Sequence, residues 1–431
     1  MWKNLAKLKA IFTLAASVRE ERVTRYIHLI LKLLNTLGLF NLPRNNLSKR
    51  SYLRRFYLKF VFVFSGILLI LNVACIIRWS SKNFVEFLLN SMENVGGALI
   101  YFEILLLNSR RTDLLKLLDR MNRFDVTSNP SIFVNSRKVE RLIFFIFGGL
   151  IVFSIFFKLT TPFFSIDRKE CEKIQTIYGL KNPQNRLPLC IYLPHVDTSE
   201  PHYFWPFYLL EIYAAFLWFL LGVTEALFFP FILLHVAGQH LVLSRQLKAL
   251  GKTHVYVPQR NTRFRFYHDA ANRARDLSDM RKCIEFHQKM LEFRALFDSI
   301  TERNIRLRVI LLTMVTSLSV YPITILSQFD SQKQLLLIAE AMLTLGYYYY
   351  NCLLSESLEW SNCLVRQSIY QNKWYEMCPE SRRMMLMFLQ MTQKPHHIKT
   401  FGGIVALGNV HYLKMLKATY SFIRFINLIK R

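Results

Sequence analysis

FVFVFSGILLILNVACII, from Phe60 to Ile77, runs for 18 positions without a charged side chain and is bounded by Lys59 and Arg78. A helix needs about 20 apolar residues to cross the ~30 Å hydrocarbon layer of a bilayer, so this run reads as a transmembrane helix. Outward from it the sequence repeats the pattern, with further spans expected at 84–107, 142–164, 204–238, 309–326, 335–354 and from 402 to the C-terminus. Several are imperfect. The second holds Glu86, Glu93 and Glu103, and the third holds Lys158 and Pro162. The fourth has 35 residues, too many for one bilayer at about 1.5 Å per residue, so its end must protrude. The last is the least hydrophobic, carrying His411, Lys414, Lys417 and Arg424.

Composition agrees: 52% of the 431 residues are hydrophobic and 14% aromatic, gathered in blocks. The formal net charge of +27, from 56 Lys and Arg against 29 Asp and Glu, would suggest nucleic acid in a soluble protein. Its distribution excludes that reading. Segments 1–59, 108–141, 239–308 and 355–401 hold 13, 8, 15 and 6 basic residues, together 42 against 17 acidic ones. The alternate segments 78–83, 167–202 and 327–334 hold 8 against 6. Positive charge is retained in the cytoplasm, so the first set lies inside.

The expected fold is therefore all-α, with seven transmembrane helices, a cytoplasmic N-terminus and an extracellular C-terminus, the reverse of a G-protein-coupled receptor. The expected organisation is a cytoplasmic segment 1–59; helices 1–4 within 60–238; a cytoplasmic helical region 239–308; helices 5 and 6 within 309–354; further cytoplasmic helices in 355–401; and helix 7 in 402–431. Lys3, Lys7 and Lys9 precede only a short apolar run, so no removable signal peptide is expected. Cys283, Phe286, Met290, Phe293, Phe297 and Ile300 recur at helical steps in a stretch that runs into the fifth span without a breaker. The fourth and sixth spans also continue inward. Their stripes predict a cytoplasmic bundle that mediates assembly, with membrane-surface helices as the alternative. Segments 253–272 and 41–51 have the composition of disordered loops.

No catalytic constellation and no metal or cofactor site is expected. His396-His397 beside Pro395 lacks a carboxylate or cysteine at ligand spacing and reads as a surface turn. Gly96-Gly97 predicts close helix packing, and Gly402-Gly403 a helix break. Of seven cysteines only Cys171 and Cys190 share an outer segment, where a disulfide and two free thiols are both open. Glu93, Glu211, Glu225, Glu340 and Lys158 are intramembrane charges, costly enough to suggest function, with interhelical polar contacts as the alternative. Large apolar side chains crowd the outer halves of the spans. Phe87, Met92, Phe153, Phe157, Tyr208, Ile212, Tyr213, Met342, Leu345 and Tyr348 are the candidate ligand-binding set, against plain lipid-facing packing.

The C-terminal third carries Tyr370-Gln371-Asn372-Lys373-Trp374-Tyr375, then Gln393-Lys394-Pro395, Phe401-Gly402-Gly403, and Leu416-Lys417-Ala418-Thr419-Tyr420-Ser421-Phe422. In order and spacing these resemble insect odorant receptors, by motif over 355–431 and by architecture over the whole chain. Gustatory receptors end in Thr-Tyr-x4-Gln-Phe, whereas Thr419-Tyr420 is followed here by Phe425-Ile426. The resemblance implies a tetrameric, non-selective cation channel in the plasma membrane of olfactory dendrites. Each subunit would add its last helix to a central pore and hold a small volatile ligand among helices two, three, four and six. With no long cytoplasmic insertion of the co-receptor kind, the chain resembles a ligand-tuning subunit that pairs with that co-receptor. Four-residue steps place Ser421, Phe425 and Ile429 on one stripe of the last helix, the candidate pore lining, with Lys417 and Arg424 off it by about 40° and 60°. A gustatory-type channel and a transporter are the alternatives. The inverted repeat and broken helices of many transporters are not evident in the sequence.

Overall fold

The computed structural model describes residues 49–124, 130–164, 168–194, 196–252, 270–328, 331–394 and 396–429. The first 48 residues and most of the expected loop 253–272 lie outside them, as do Pro395 and the side chains of Glu225 and Ile429. The described chain folds into helices α1 (Lys49–Arg78), α2 (Phe84–Ser109), α3 (Arg111–Asn122), α4 (Pro130–Thr160), α5 (Arg168–Tyr178), α6 (Pro201–Ala249), α7 (Ala270–Val320), α8 (Ser331–Tyr370), α9 (Pro379–Thr392) and α10 (Asn409–Ile429). The sheet among the described residues is one antiparallel pair, Lys399–Thr400 with Val405–Ala406. Among the described residues, four helical stretches, in α1, α4, α6 and α7, are long and apolar enough to cross a membrane. The more polar α2, α8 and α10 join them in the seven-helix bundle that the sequence predicts.

Two helices set the architecture. α6 runs for 49 residues through Pro206 and Pro230 and is apolar on every side of its centre, with Leu227, Phe228, Phe231 and Ile232 at most 2% exposed. A helix apolar all round belongs in the core, and α6 is the central post against which α4 and α8 pack. α7 runs unbroken for 51 residues, so the expected cytoplasmic helix and the fifth span are one rod. Where α7 enters the membrane, Arg308 makes a two-pronged ion pair with Glu103 of α2, Nε to Oε1 at 2.7 Å and Nη2 to Oε2 at 2.5 Å. Its remaining prong reaches Asn351 of α8 at 3.1 Å, and the guanidinium lies over Phe229. Both charges are buried, and the matched fork offsets their desolvation.

At the cytoplasmic end, Leu243 and Leu247 of α6, Met280, Cys283 and Met290 of α7, Val365 and Ile369 of α8, and Met385 and Phe388 of α9 form one buried cluster. Phe293 and Phe297, expected at an assembly seam, are 1% exposed and pack inside the subunit, Phe293 edge-on to Phe124 and Phe297 to Phe229. That stripe holds the subunit to itself. The sequence shows that it must be covered, and the length of α6 and α8 decides that the same chain covers it. The break before α10 has the expected cause: Gly402 and Gly403 take φ of 67° and 94°, which glycine adopts without steric cost.

The outer ends are capped by α5 and the loop after it. Cys190 is joined by a disulfide to Cys75 at the outer end of α1 and not to Cys171. The possible Cys171–Cys190 bridge is therefore corrected. Reading Cys75 as a membrane residue hid it, because linear sequence does not show the loop folding down onto the end of the span. Asn72 donates to the Cys190 carbonyl at 3.1 Å beside the bridge.

Candidate functional site

Beneath that cap lies an apolar cavity of about 290 Å³. α2 contributes Met92, Glu93, Gly96, Gly97 and Ile100; α4 contributes Phe147, Ile151, Ser154, Ile155 and Lys158. From α6 come Glu211, Ala215, Trp218 and Gly222, and from α8 Glu340, Leu343, Thr344 and Tyr347. These are helices two, three, four and six of the expected order; Leu312 and Val315 of α7 close the inner end, and Pro188 and Leu189 form the roof. The glycines explain the hollow. A Cβ on Gly97 would stand 3.0 Å from the Trp218 ring and 3.1 Å from Leu69, so Gly97 lets α2 approach α1 and α6 closely. A Cβ on Gly96 would meet nothing within 4 Å, and that face of α2 stays open to the cavity.

Four of the five intramembrane charges converge here. Lys158 pairs with Glu93 at 2.6 Å across α4 and α2. Glu340 accepts from the Ser154 hydroxyl at 3.4 Å, and Glu211 accepts the Leu189 backbone N–H at 3.1 Å, tying roof to wall. Glu93, Lys158 and Glu340 also face an outer vestibule, whose other walls include Phe157, Pro162, Glu86, Arg186 and Lys333. There Glu86 accepts from Tyr178 at 2.9 Å and meets Arg186, Lys333 and Lys173 at 3.3, 3.6 and 3.7 Å.

The ten candidate ligand residues are scattered by this geometry. Met92 lines both cavity and vestibule, and Phe157 the vestibule, with the Phe153 ring tilted against it at 4.5 Å. Tyr208 packs away from the cavity, donating to the Leu159 carbonyl at 2.8 Å. Tyr213 is hydrogen-bonded to Tyr57, and Tyr348 to Thr313 and His411. Leu345 packs against the core, while Phe87, Ile212 and Met342 are exposed on the outside of the subunit. Rotation explains the scatter: the expected set chose bulky residues, and which arc of each helix faces inward depends on packing. Trp218, Phe147 and Tyr347 were missed for that reason. The paired glycines were the available signal.

A family model described as "7tm Odorant receptor" matches residues 95–420. The chain belongs to the odorant receptor family. Among solved structures this odorant receptor fold is similar to the insect olfactory receptor OR5 from Machilis hrabei, with a TM-score of 0.73 at 12% identity, covering 94% of this chain and 98% of that one. The same receptor in complex with eugenol matches equally. No curated protein matches the chain. The family is one of multi-pass membrane receptors.

On the last helix of this family member, Met415, Thr419 and Ile426 are buried against the subunit, and Phe422 and Ile423 pack with Tyr321 and Leu88. Ser421 and Phe425 face away, Phe425 being 60% exposed. Lys417 and Arg424, expected off that stripe, are exposed on the same half of the helix. The cause is the position of α7 and α8, which cover the opposite arc.

Proposed function

We propose that this chain is the ligand-tuning subunit of an odorant-gated, non-selective cation channel, acting with the odorant co-receptor in a tetramer of the olfactory dendrite membrane. The observation that carries this reading is the roofed apolar cavity among α2, α4, α6 and α8, in a family member whose fold resembles a receptor solved with eugenol. A small volatile molecule gains affinity there chiefly by burial against Trp218, Phe147 and Ile151. Ligand-induced movement of α8 and α7 would reach α10, which packs on both.

The uncovered arc of α10 supports a pore role. Val410, Leu413, Phe425 and Leu428 are more than half exposed on one subunit, on an arc shared with Lys417, Ser421 and Arg424, and these large apolar side chains need lipid, protein or a closed pore against them. Ser421, Phe425 and Ile429 would form the constriction, closing by dewetting. The test is whole-cell current under a panel of volatile compounds, with the chain alone, the co-receptor alone and both together. Ligand-evoked cation current specific to the pair is the expected result, and its absence at normal surface expression overturns the reading.

A further inference from the structure

We infer that this subunit is tuned to small amines, with Glu340 as counter-ion to the ligand's ammonium group; this rests on the proposed reading of the cavity as the ligand site. The cavity wall holds three carboxylates, Glu93, Glu211 and Glu340, and one base, Lys158. Lys158 is committed to Glu93 at 2.6 Å. Glu340 receives one hydroxyl at 3.4 Å and has no ion pair among the described residues. Glu211 is 1% exposed, and its Oε1 has no hydrogen-bond partner although Leu189 holds the other oxygen. Acidic groups therefore outnumber basic ones in a site whose other lining is largely apolar. An uncharged odorant leaves these acceptors short of donors, whereas an ammonium brings a positive charge and several donors to them.

The surroundings fit the same ligand. Phe147, Trp218 and Tyr347 present aromatic rings to the cavity, which attract a cation by their faces and bury a hydrocarbon tail. The vestibule holds Glu86, Glu93 and Glu340 against Lys158, Arg186 and Lys333, so acid and base are matched there and the surplus of acid is confined to the cavity. The readout is equilibrium potency.

The test compares 2-phenylethylamine with 2-phenylethanol, nearly equal in shape, as concentration-response curves on the chain co-expressed with the co-receptor at pH 7.4. The amine should be more potent by about tenfold or more, the worth of one charge-assisted hydrogen bond. Glu340→Gln should erase that advantage by lowering the amine's potency toward the alcohol's, with Glu211→Gln as a second variant should the first fail to reach the surface. An alcohol as potent as the amine, or an amine advantage intact in both variants, overturns the inference while leaving the odorant-gated channel reading standing. Silence to both probes from a surface-expressed pair that answers other volatiles overturns it too. Silence to every volatile overturns the channel reading with it.

Discussion

Gly96 and Gly97 are neighbours in sequence and opposites in space. Gly97→Val would force its side chain into the Trp218 ring and Leu69. Such overpacking costs about 1–3 kcal/mol, so the purified receptor should melt earlier or express less. Gly96→Val points into open cavity and should leave melting unchanged while weakening the larger ligands of a homologous series. Equal thermal shifts in the two variants would contradict this account of the hollow. Arg308 is the second decisive residue. Arg308→Met leaves the Glu103 carboxylate buried and unmatched, a loss of about 3–5 kcal/mol. Little folded protein should reach the surface, and adding Glu103→Leu should recover part of it, measured by size-exclusion profile and surface labelling.

Among the elements, α7 and α10 separate stability from gating. Phe293→Asp places a charge in a seam where Phe293 is 1% exposed, at a cost of several kcal/mol. Because that seam is internal, the variant should lose its own folded state, and failure to join a partner follows from that. A variant with wild-type melting that fails only in co-purification would return the stripe to the subunit interface. α10 behaves differently. Phe425 is exposed on the isolated subunit, so Phe425→Ser should fold normally and raise basal current or change cation selectivity in the co-expressed channel. Unchanged leak, selectivity and blocker sensitivity would remove Phe425 from the gate.

For the whole molecule, the cytoplasmic bundle carries a pH dependence. Beyond the fourth span, burial pushes His240 down to about 3, His396 to about 4 with Arg294 beside it adding to the shift, and His287 lower than usual. His240 and His396 are in edge contact at 5.4 Å, and His287 packs on Phe388. Each is neutral when folded near pH 7 and takes up a proton more readily when unfolded. Stability is therefore full above the unfolded value of about 6.5 and falls as pH drops toward 4. Melting of the purified receptor should decline between pH 7 and 5.5, and His240→Phe combined with His396→Asn should flatten the decline. A flat wild-type profile would show that these imidazoles stay solvated.

Sequence alone determined the class, because 18 uncharged and mostly apolar residues have few stable homes outside a bilayer, and it determined the sidedness, because basic residues stay in the cytoplasm. Residues near the C-terminus carried the family resemblance, and the charges Glu93, Lys158, Glu211 and Glu340 marked where function could lie. Tertiary structure decided which arcs face inward. A helix packs on one arc, and bulk does not say which, so Phe87 and Met342 turned outward while Trp218 and two glycines shaped the cavity. It also decided that Cys190 meets Cys75 and that Phe293 is covered from within. Those outcomes depend on where distant segments come to rest, a property of the packed bundle that no local stretch of chain contains.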